Sequence, residues 1–112
     1  MSKKMIEFVN TKLDPEDQVQ KSYRAKYYNT DGWFVMSKRK LLFIDENGFL
    51  RTTYSLVQEI LYETIDKIDF KRNQLALTEF GDIKHVFTSS YMSAIENKLK
   101  NLIDSGLPKV IA

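Results

Sequence analysis

Two short apolar runs in the middle of the chain restrict what it can fold into. They occupy residues 33–36 and 41–44, and the polar, basic corner 37–40 separates them. Both runs are too short for a helix with a buried face, and both carry the β-branched and aromatic residues that suit a pleated, half-buried surface. Asn47-Gly48 follows the second run and supplies the positive φ angles of a tight turn. This stretch therefore predicts the central hairpin of a small antiparallel sheet.

Segments on both sides of this hairpin predict further strands. Apolar and polar residues alternate along 19–28, 74–78 and 83–88. Turn-forming residues predict chain reversals at 29–32, 72–73 and 80–82.

Two segments between the hairpin and the last strands are harder to assign. Residues 59–70 mix helical and strand periods, and we interpret them as one strand with a kink or bulge near 64–66. Residues 49–56 either extend the sheet or form a loop.

Helical spacing appears at both ends of the chain. Near the C-terminus, apolar residues recur at steps of three and four and predict one amphipathic helix face, formed by Met92, Ile95, Leu99, Leu102 and Ile103. Ser89 or Ser90 is the candidate N-cap, with a capping box at 93–96 as the alternative, and Gly106 and Pro108 are expected to end the helix. Residues 3–13 predict a short N-terminal helix with Met5, Ile6, Val9 and Leu13 on one face.

These elements predict one domain over residues 1–112, because a chain of this length has no room for a second core. The expected fold class is mainly β (α+β), with about seven strands, a C-terminal helix and a short N-terminal helix within 1–12. The core is expected at 13–104 and a loose tail at 105–112.

Composition excludes several classes of protein. Seventeen basic and 15 acidic side chains leave a net charge of +2, which argues against a nucleic-acid-binding domain. Cysteine is absent, so the chain has no disulfide framework, thiolate metal site or cysteine nucleophile. No apolar run approaches the roughly 20 residues that cross a bilayer, and the N-terminal apolar stretch is too short for a signal peptide. A cytoplasmic location is expected.

Three motifs resemble a known family. Leu13-Asp14-Pro15-Glu16-Asp17, the corner Ser37-Lys38-Arg39-Lys40-Leu41-Leu42-Phe43, and the segment Tyr62-Glu63-Thr64-Ile65-Asp66-Lys67-Ile68 are similar to motifs of bacterial pleckstrin-homology-like and GRAM-like domains, in the same order. Ser37 stands where the family usually has threonine, and Lys40 where arginine is commoner. The resemblance implies a strongly bent antiparallel sheet, or partly open barrel, capped by the C-terminal helix. It also implies a non-catalytic fold that docks proteins, peptides or lipid head groups.

Five basic residues are candidate ligand contacts, namely Arg24, Lys26, Lys38, Arg39 and Lys40. They could meet an anionic head group or an acidic peptide. The alternative interpretation is a solvated hairpin corner, since charge runs are commonly surface.

Aromatic residues near the first turn are candidate protein contacts. Tyr28, Trp33 and Phe34 belong to this group. Half of the aromatics must face the core if the strands alternate, and the remainder could form an exposed contact patch.

Nothing in the sequence predicts catalysis, a cofactor or a metal site. His85 is the only histidine and lies on the apolar face of its strand, so it is expected to be a partly buried, hydrogen-bonded core residue. The acidic residues lack the apolar pocket that would raise the pKa of one member of a catalytic pair.

The expected function is therefore a non-catalytic binding or scaffold module that docks a protein or peptide partner. Self-assembly through an uncovered sheet edge is part of that expectation. The alternative is a membrane-surface module that binds anionic lipid head groups through the basic corner.

Overall fold

Seven β-strands with a helix at each end make up the computed structural model, which describes residues 2–104. The helices are α1 Lys3–Asn10 and α2 Met92–Asp104. The strands are β1 Val19–Tyr27, β2 Thr30–Ser37, β3 Lys40–Asn47, β4 Thr53–Leu61, β5 Ile65–Lys71, β6 Gln74–Glu79 and β7 Ile83–Thr88, and a 3-10 turn, Tyr62–Thr64, joins β4 to β5. The predicted fold class, mainly β with both helices, is confirmed.

The strands form one antiparallel sheet in the order β4-β3-β2-β1-β7-β6-β5. β1 pairs with β2 along its length but with β7 only at Lys26 and Tyr27, so the sheet divides into two halves that meet at one end of β1. β4 and β5 follow each other in sequence yet lie at opposite edges. Within residues 2–104 these edges do not pair, and the sheet is not closed into a barrel.

The central strands β2 and β3 are buried on both faces, which explains why their sequences are continuously apolar rather than alternating. The inner face packs against α2 and contains Phe34, Met36, Leu41 and Phe43. The outer face is covered by Met5 and Val9 of α1 and contains Val35, Leu42 and Ile44. Fully burying each such side chain contributes about 1.5–3 kcal/mol.

The predicted C-terminal helix is confirmed, with four of its five stripe residues buried: Met92, Ile95, Leu99 and Ile103. Ser89 precedes it and links it to β1. Its Oγ donates to the Arg24 carbonyl oxygen at 2.7 Å and accepts from the Tyr91 amide at 3.0 Å. The predicted stop at Gly106 and Pro108 and the predicted tail 105–112 lie outside the described residues.

The first two turns differ from the prediction. The chain reverses at Tyr28-Asn29 rather than across 29–32, with Tyr28 at a φ of +51°. Gly32 lies inside β2, where an added Cβ would be 2.3 Å from the Ile44 carbonyl oxygen. This glycine therefore serves close strand packing, not a turn. Asn47 pairs with Thr53, so Gly48 opens the loop 48–52 instead of a tight two-residue turn.

The segment 59–70 is two strands rather than the single bulged strand predicted. The 3-10 turn at 62–64 interrupts it, and its two parts go to opposite edges of the sheet. A register shift does occur between Ile65 and Lys67, next to the predicted bulge. The ambiguous segment 49–56 also divides, into loop up to Thr52 and β4 from Thr53 onward. The turns at 72–73 and 80–82 are confirmed, and α1 ends at Asn10 instead of reaching Leu13.

Candidate functional site

The five predicted basic residues do not form one patch. Across the β1–β2 pair, Arg24 lies opposite Trp33 whereas Val19 lies opposite Ser37. The corner that follows Ser37 is thus four residues, or about 13 Å, further along the strand than Arg24. Lys26 lies further still in the other direction. The structure therefore separates a corner group, Lys38, Arg39 and Lys40, from a strand group, Arg24 and Lys26.

A buried carboxylate holds the corner group in place. Asp17 is only 7% exposed, and its Oδ1 accepts from the Lys38 amide at 2.8 Å. Its Oδ2 accepts from Ser37 Oγ at 2.7 Å, while the same Ser37 Oγ accepts from the Lys40 amide at 3.1 Å. Hydrogen bonds to an ionised acceptor are among the stronger ones in proteins. The corner is consequently a rigid, internally satisfied turn, and Asp17 rather than Glu16 is its acidic residue.

Only two of the three corner side chains are available to a ligand. Lys40 Nζ lies 2.6 Å from Glu59 Oε2, and the Lys40 side chain is 13% exposed. Lys38 and Arg39 are exposed, and within residues 2–104 neither forms an ion pair. At the corner, therefore, two side chains carry a positive charge that a ligand could contact.

Tyr62 closes the corner from the inside. Its hydroxyl donates to the Ser37 carbonyl oxygen at 2.7 Å, and the side chain is fully buried. Burial raises the pKa of Tyr62 well above its usual range, and the nearby Asp17 carboxylate raises it further.

This raised pKa predicts sensitivity of the fold to alkaline pH. Above about pH 10 the unfolded tyrosine loses its proton while the native one keeps it, so the native state binds more protons and the free energy of unfolding falls as pH rises. Tyr62→Phe removes this contribution, and we expect it to destabilise the protein by about 1–2 kcal/mol near neutral pH, because the Ser37 carbonyl loses its donor. Urea unfolding at a series of pH values measures both effects. Equal slopes above pH 10 for the wild type and the variant would contradict the assignment.

The strand group lies on a second surface. Arg24 is stacked 4.9 Å from the centre of the Trp33 ring and its Nη1 is 3.5 Å from Glu46 Oε1. The same Glu46 oxygen accepts from Trp33 Nε1 at 2.9 Å. Lys26 Nζ is 4.0 Å from Asp31 Oδ1 across the β1–β2 pair. We call Arg24, Lys26, Asp31, Trp33 and Glu46 the Arg24 surface.

Two open clefts meet at the Arg24 surface and share Arg24 and Asp31. One, of about 350 Å³, extends over Lys26 to Asn73 and to Ser89 and Ser90, just before α2. The other, of about 360 Å³, extends past Glu46 to the base of the loop 48–52. With two cations and two anions beside these clefts, the surface offers both donors and acceptors to a ligand.

The three predicted contact aromatics have different environments. Tyr28 is half exposed and its hydroxyl donates to the Lys84 carbonyl oxygen at 3.1 Å. Trp33 is half-buried beneath Arg24. Phe34 is fully buried, with its ring perpendicular to that of Phe87 at 5.0 Å. Phe34 is therefore a core residue, which corrects its assignment as a contact.

His85 is the buried, hydrogen-bonded core residue that its strand position predicts. Its Nδ1 is 2.9 Å from the Tyr27 hydroxyl and its Nε2 is 2.8 Å from Glu79 Oε2. The other Glu79 oxygen accepts from Thr64 Oγ1 at 2.9 Å. Burial raises the pKa of Tyr27. This network joins β1, β6 and β7 to the 3-10 turn, and sequence reasoning missed it because its members are distant along the chain.

The loop 48–52 carries a feature that the sequence did not single out. Phe49 is 98% exposed and Leu50 is 94% exposed. The available signal was an apolar pair directly after a glycine with no periodic partner on either side. Large apolar side chains so fully exposed are candidates for contact with another molecule.

Metal-binding clusters and membrane-spanning helices are both absent from the described part of the chain. Residues 2–104 contain no cluster of three or more histidine or acidic side chains placed to hold a metal ion. Among the described residues, neither α1 nor α2 has the length and hydropathy of a bilayer-crossing segment.

Comparison with known proteins supports the description of the fold. No protein-family model matches the chain, and no curated protein matches it. Among solved structures, the C-terminal domain of an unknown protein from Leishmania infantum is similar, with a TM-score of 0.64 at 15% sequence identity over 87% of this chain and 96% of that one. At that identity the likeness shows a shared fold, a seven-stranded antiparallel sheet with a C-terminal helix.

Proposed function

We propose that the chain is a pleckstrin-homology-like domain that acts without catalysis and docks a protein or peptide partner at the Arg24 surface. The strand order, the C-terminal helix on the inner face of the sheet and the contact between Asp17 and Ser37 support the family resemblance. Fold alone does not select a ligand, so the choice of partner rests on the surface itself.

The observation that carries this proposal is the fixed stack of Arg24 on Trp33. The shared Glu46 oxygen orients both side chains, so little conformational entropy remains to be lost when a partner binds. Arginine and tryptophan are also the residue types that most often dominate binding energy at protein interfaces. Because the surface carries balanced charge, a polypeptide with both donors and acceptors fits it better than a purely anionic ligand.

Variants of β1 test this proposal. The wild type is expected to capture a specific partner from lysate of the cells that express the protein. We expect the double variant Arg24→Gln, Lys26→Gln to lose this partner, because both cations of the surface are removed while the strand stays paired. Lys21→Gln on the same strand is the matched control, since Lys21 is also exposed. Quantitative cross-linking with mass spectrometry provides the readout. Identical captured proteins for all three forms would refute docking at the Arg24 surface.

A membrane-surface function is the second candidate, and the free charges of Lys38 and Arg39 favour it. Two exposed cations on a rigid corner would attract an anionic bilayer, each worth about 1 kcal/mol near the surface. Flotation with vesicles of neutral and of anionic lipid, at low and high salt, measures this. The membrane-surface function would be refuted if flotation were the same with neutral and anionic vesicles, at low and high salt, and for the wild type and the double variant Lys38→Gln, Arg39→Gln.

A further inference from the structure

β1 is an interior strand of the sheet, yet most of its length has a neighbouring strand on one side only. It pairs with β2 from Val19 to Tyr27. On its other side, β7 pairs with it only at Lys26 and Tyr27. Within residues 2–104, no strand lies beside the segment 19–25 on the β7 side. The sheet therefore has an open strand edge next to the Arg24 surface.

The alternation of hydrogen bonds identifies the backbone groups on this open edge. In a strand, the N–H and C=O of one residue point to one side, and those of the next residue point to the other. No register shift interrupts β1 after Lys21. Tyr28 N–H donates to a carbonyl oxygen of β7 at 3.0 Å, and the Arg24 carbonyl oxygen accepts from Ser89 Oγ at 2.7 Å. The even-numbered residues thus point away from β2, so Ser22 N–H, Ser22 C=O and Arg24 N–H face the open edge.

β7 does not extend along this edge because the chain turns away from β1 into α2. After Thr88, the Ser89 amide donates to the Asn73 carbonyl oxygen of the β5–β6 turn at 3.0 Å, and only the Ser89 hydroxyl still bonds to β1. The cleft of about 350 Å³ lies where the two strands diverge, since Arg24, Thr88 and Ser89 all line it. The open edge therefore borders a cleft that an extended segment can enter.

We propose that an extended segment of the docking partner adds to β1 at this edge and forms backbone hydrogen bonds with Ser22 and Arg24. This inference rests on the proposed docking function and specifies how the partner is held. An open strand edge presents unpaired N–H and C=O groups that a further strand can pair with. In such an arrangement, main-chain hydrogen bonds supply affinity and alternate side chains supply specificity.

The inner face of β1 selects an apolar side chain from the partner. Residues beside each other on neighbouring strands place their side chains on the same face of the sheet. Tyr23 packs against the inner core, and its ring centre is 5.7 Å from that of Tyr91, which is half exposed. A partner residue beside Tyr23 therefore meets two aromatic rings, which favours an apolar side chain.

The outer face selects an acidic side chain at the adjacent position of the partner. A residue beside Arg24 lies where the side chains of Arg24 and Lys26 border the cleft. Their ion pairs with Glu46 and Asp31 are long, at 3.5 and 4.0 Å, and the two cationic side chains remain 52% and 56% exposed. Opposite charges on neighbouring strands attract each other. The partner segment is therefore an extended one in which an apolar residue and an acidic residue are adjacent.

Ser22→Pro is the decisive variant, because proline removes the Ser22 N–H from the open edge without removing a hydrogen bond between β1 and β2. Ser22→Ala keeps this N–H and is the matched control. The probe is a display library of random peptides selected on the full chain. We expect the selected peptides to carry adjacent apolar and acidic residues. They should bind the wild type and Ser22→Ala equally, and Ser22→Pro about tenfold more weakly or worse.

Hydrogen exchange on the wild type gives a second measurement that does not depend on the folding of a variant. With a selected peptide bound, we expect slower exchange of the Ser22 and Arg24 amides, because both acquire a hydrogen-bond acceptor. The amide of Arg72, in the β5–β6 turn, should exchange at the same rate with and without peptide. Circular dichroism melts confirm that each variant is folded.

Three results would overturn the proposed strand addition. They are a library from which no peptide is selected, selected peptides that bind Ser22→Pro as tightly as the wild type, or amides of Ser22 and Arg24 whose exchange the bound peptide leaves unchanged.

Capture from lysate separates failure of this inference from failure of the docking function. A partner that is lost by Arg24→Gln, Lys26→Gln but retained by Ser22→Pro would refute strand addition and leave docking at the Arg24 surface in place. The same partner retained by both variants would refute the docking function itself.

Discussion

Gly32→Ala is expected to destabilise the domain by about 3 kcal/mol. The new Cβ would lie 2.3 Å from the Ile44 carbonyl oxygen and 2.8 Å from the Phe43 ring. The first of these is a backbone atom of the neighbouring strand, so it cannot move without separating β2 from β3. Chemical denaturation followed by tryptophan fluorescence measures the loss, since Trp33 is adjacent.

Gly81→Ala is the control for this prediction. Gly81 has a φ of +92° and no atom within 4 Å of an added Cβ, so only backbone strain is introduced, at about 1 kcal/mol. If both variants lose the same stability, close packing of β2 on β3 is not the reason for glycine at position 32.

Asp17→Ala is expected to have an effect of similar size, about 3 kcal/mol. The change removes an ionised acceptor from the Lys38 amide and from Ser37 Oγ, both of which remain in a mostly buried corner. Thermal unfolding at pH 7 provides the measurement. We also expect faster amide exchange at Lys38 in the variant, because its hydrogen-bond acceptor is gone.

Asp14→Ala is the matched control for Asp17. The Asp14 side chain is exposed, and its contribution to the turn comes from its carbonyl oxygen, which accepts from the Asp17 amide at 2.9 Å. Alanine keeps that bond, so the change should stay within about 0.5 kcal/mol. Equal losses of stability in the two variants would contradict the proposed role of the Asp17 carboxylate in stabilising the corner.

The local sequence pattern was sufficient to predict an element wherever the spacing of its apolar residues marks the face that is buried. The stripe of α2 and the alternation along β7 predicted both elements and the burial of His85 and Phe87. The apolar runs of β2 and β3 likewise predicted strands. What they did not predict is α1 as the cover of the outer face, because a helix of eight residues does not reveal where it docks.

Features that depend on the register between strands could not be predicted from the sequence. The turn at Tyr28-Asn29 and the placement of Gly32 inside β2 follow from how closely β3 approaches, which no local signal reports. The break between β4 and β5 was hidden because the 3-10 turn that separates them is only three residues long. Separation of Arg24 from Lys38 has the same origin: the two residues are close in sequence, but the β1–β2 register places the corner four residues further along the strand than Arg24.

Burial of β2 and β3 from both sides has a consequence for how the domain assembles. The inner side is completed by the last element in sequence and the outer side by the first, so neither hydrophobic layer can form from neighbouring residues alone. Contacts of such long sequence separation slow folding. We therefore expect the inner layer to stay open during synthesis until α2 has left the ribosome, so that native packing forms late rather than strand by strand.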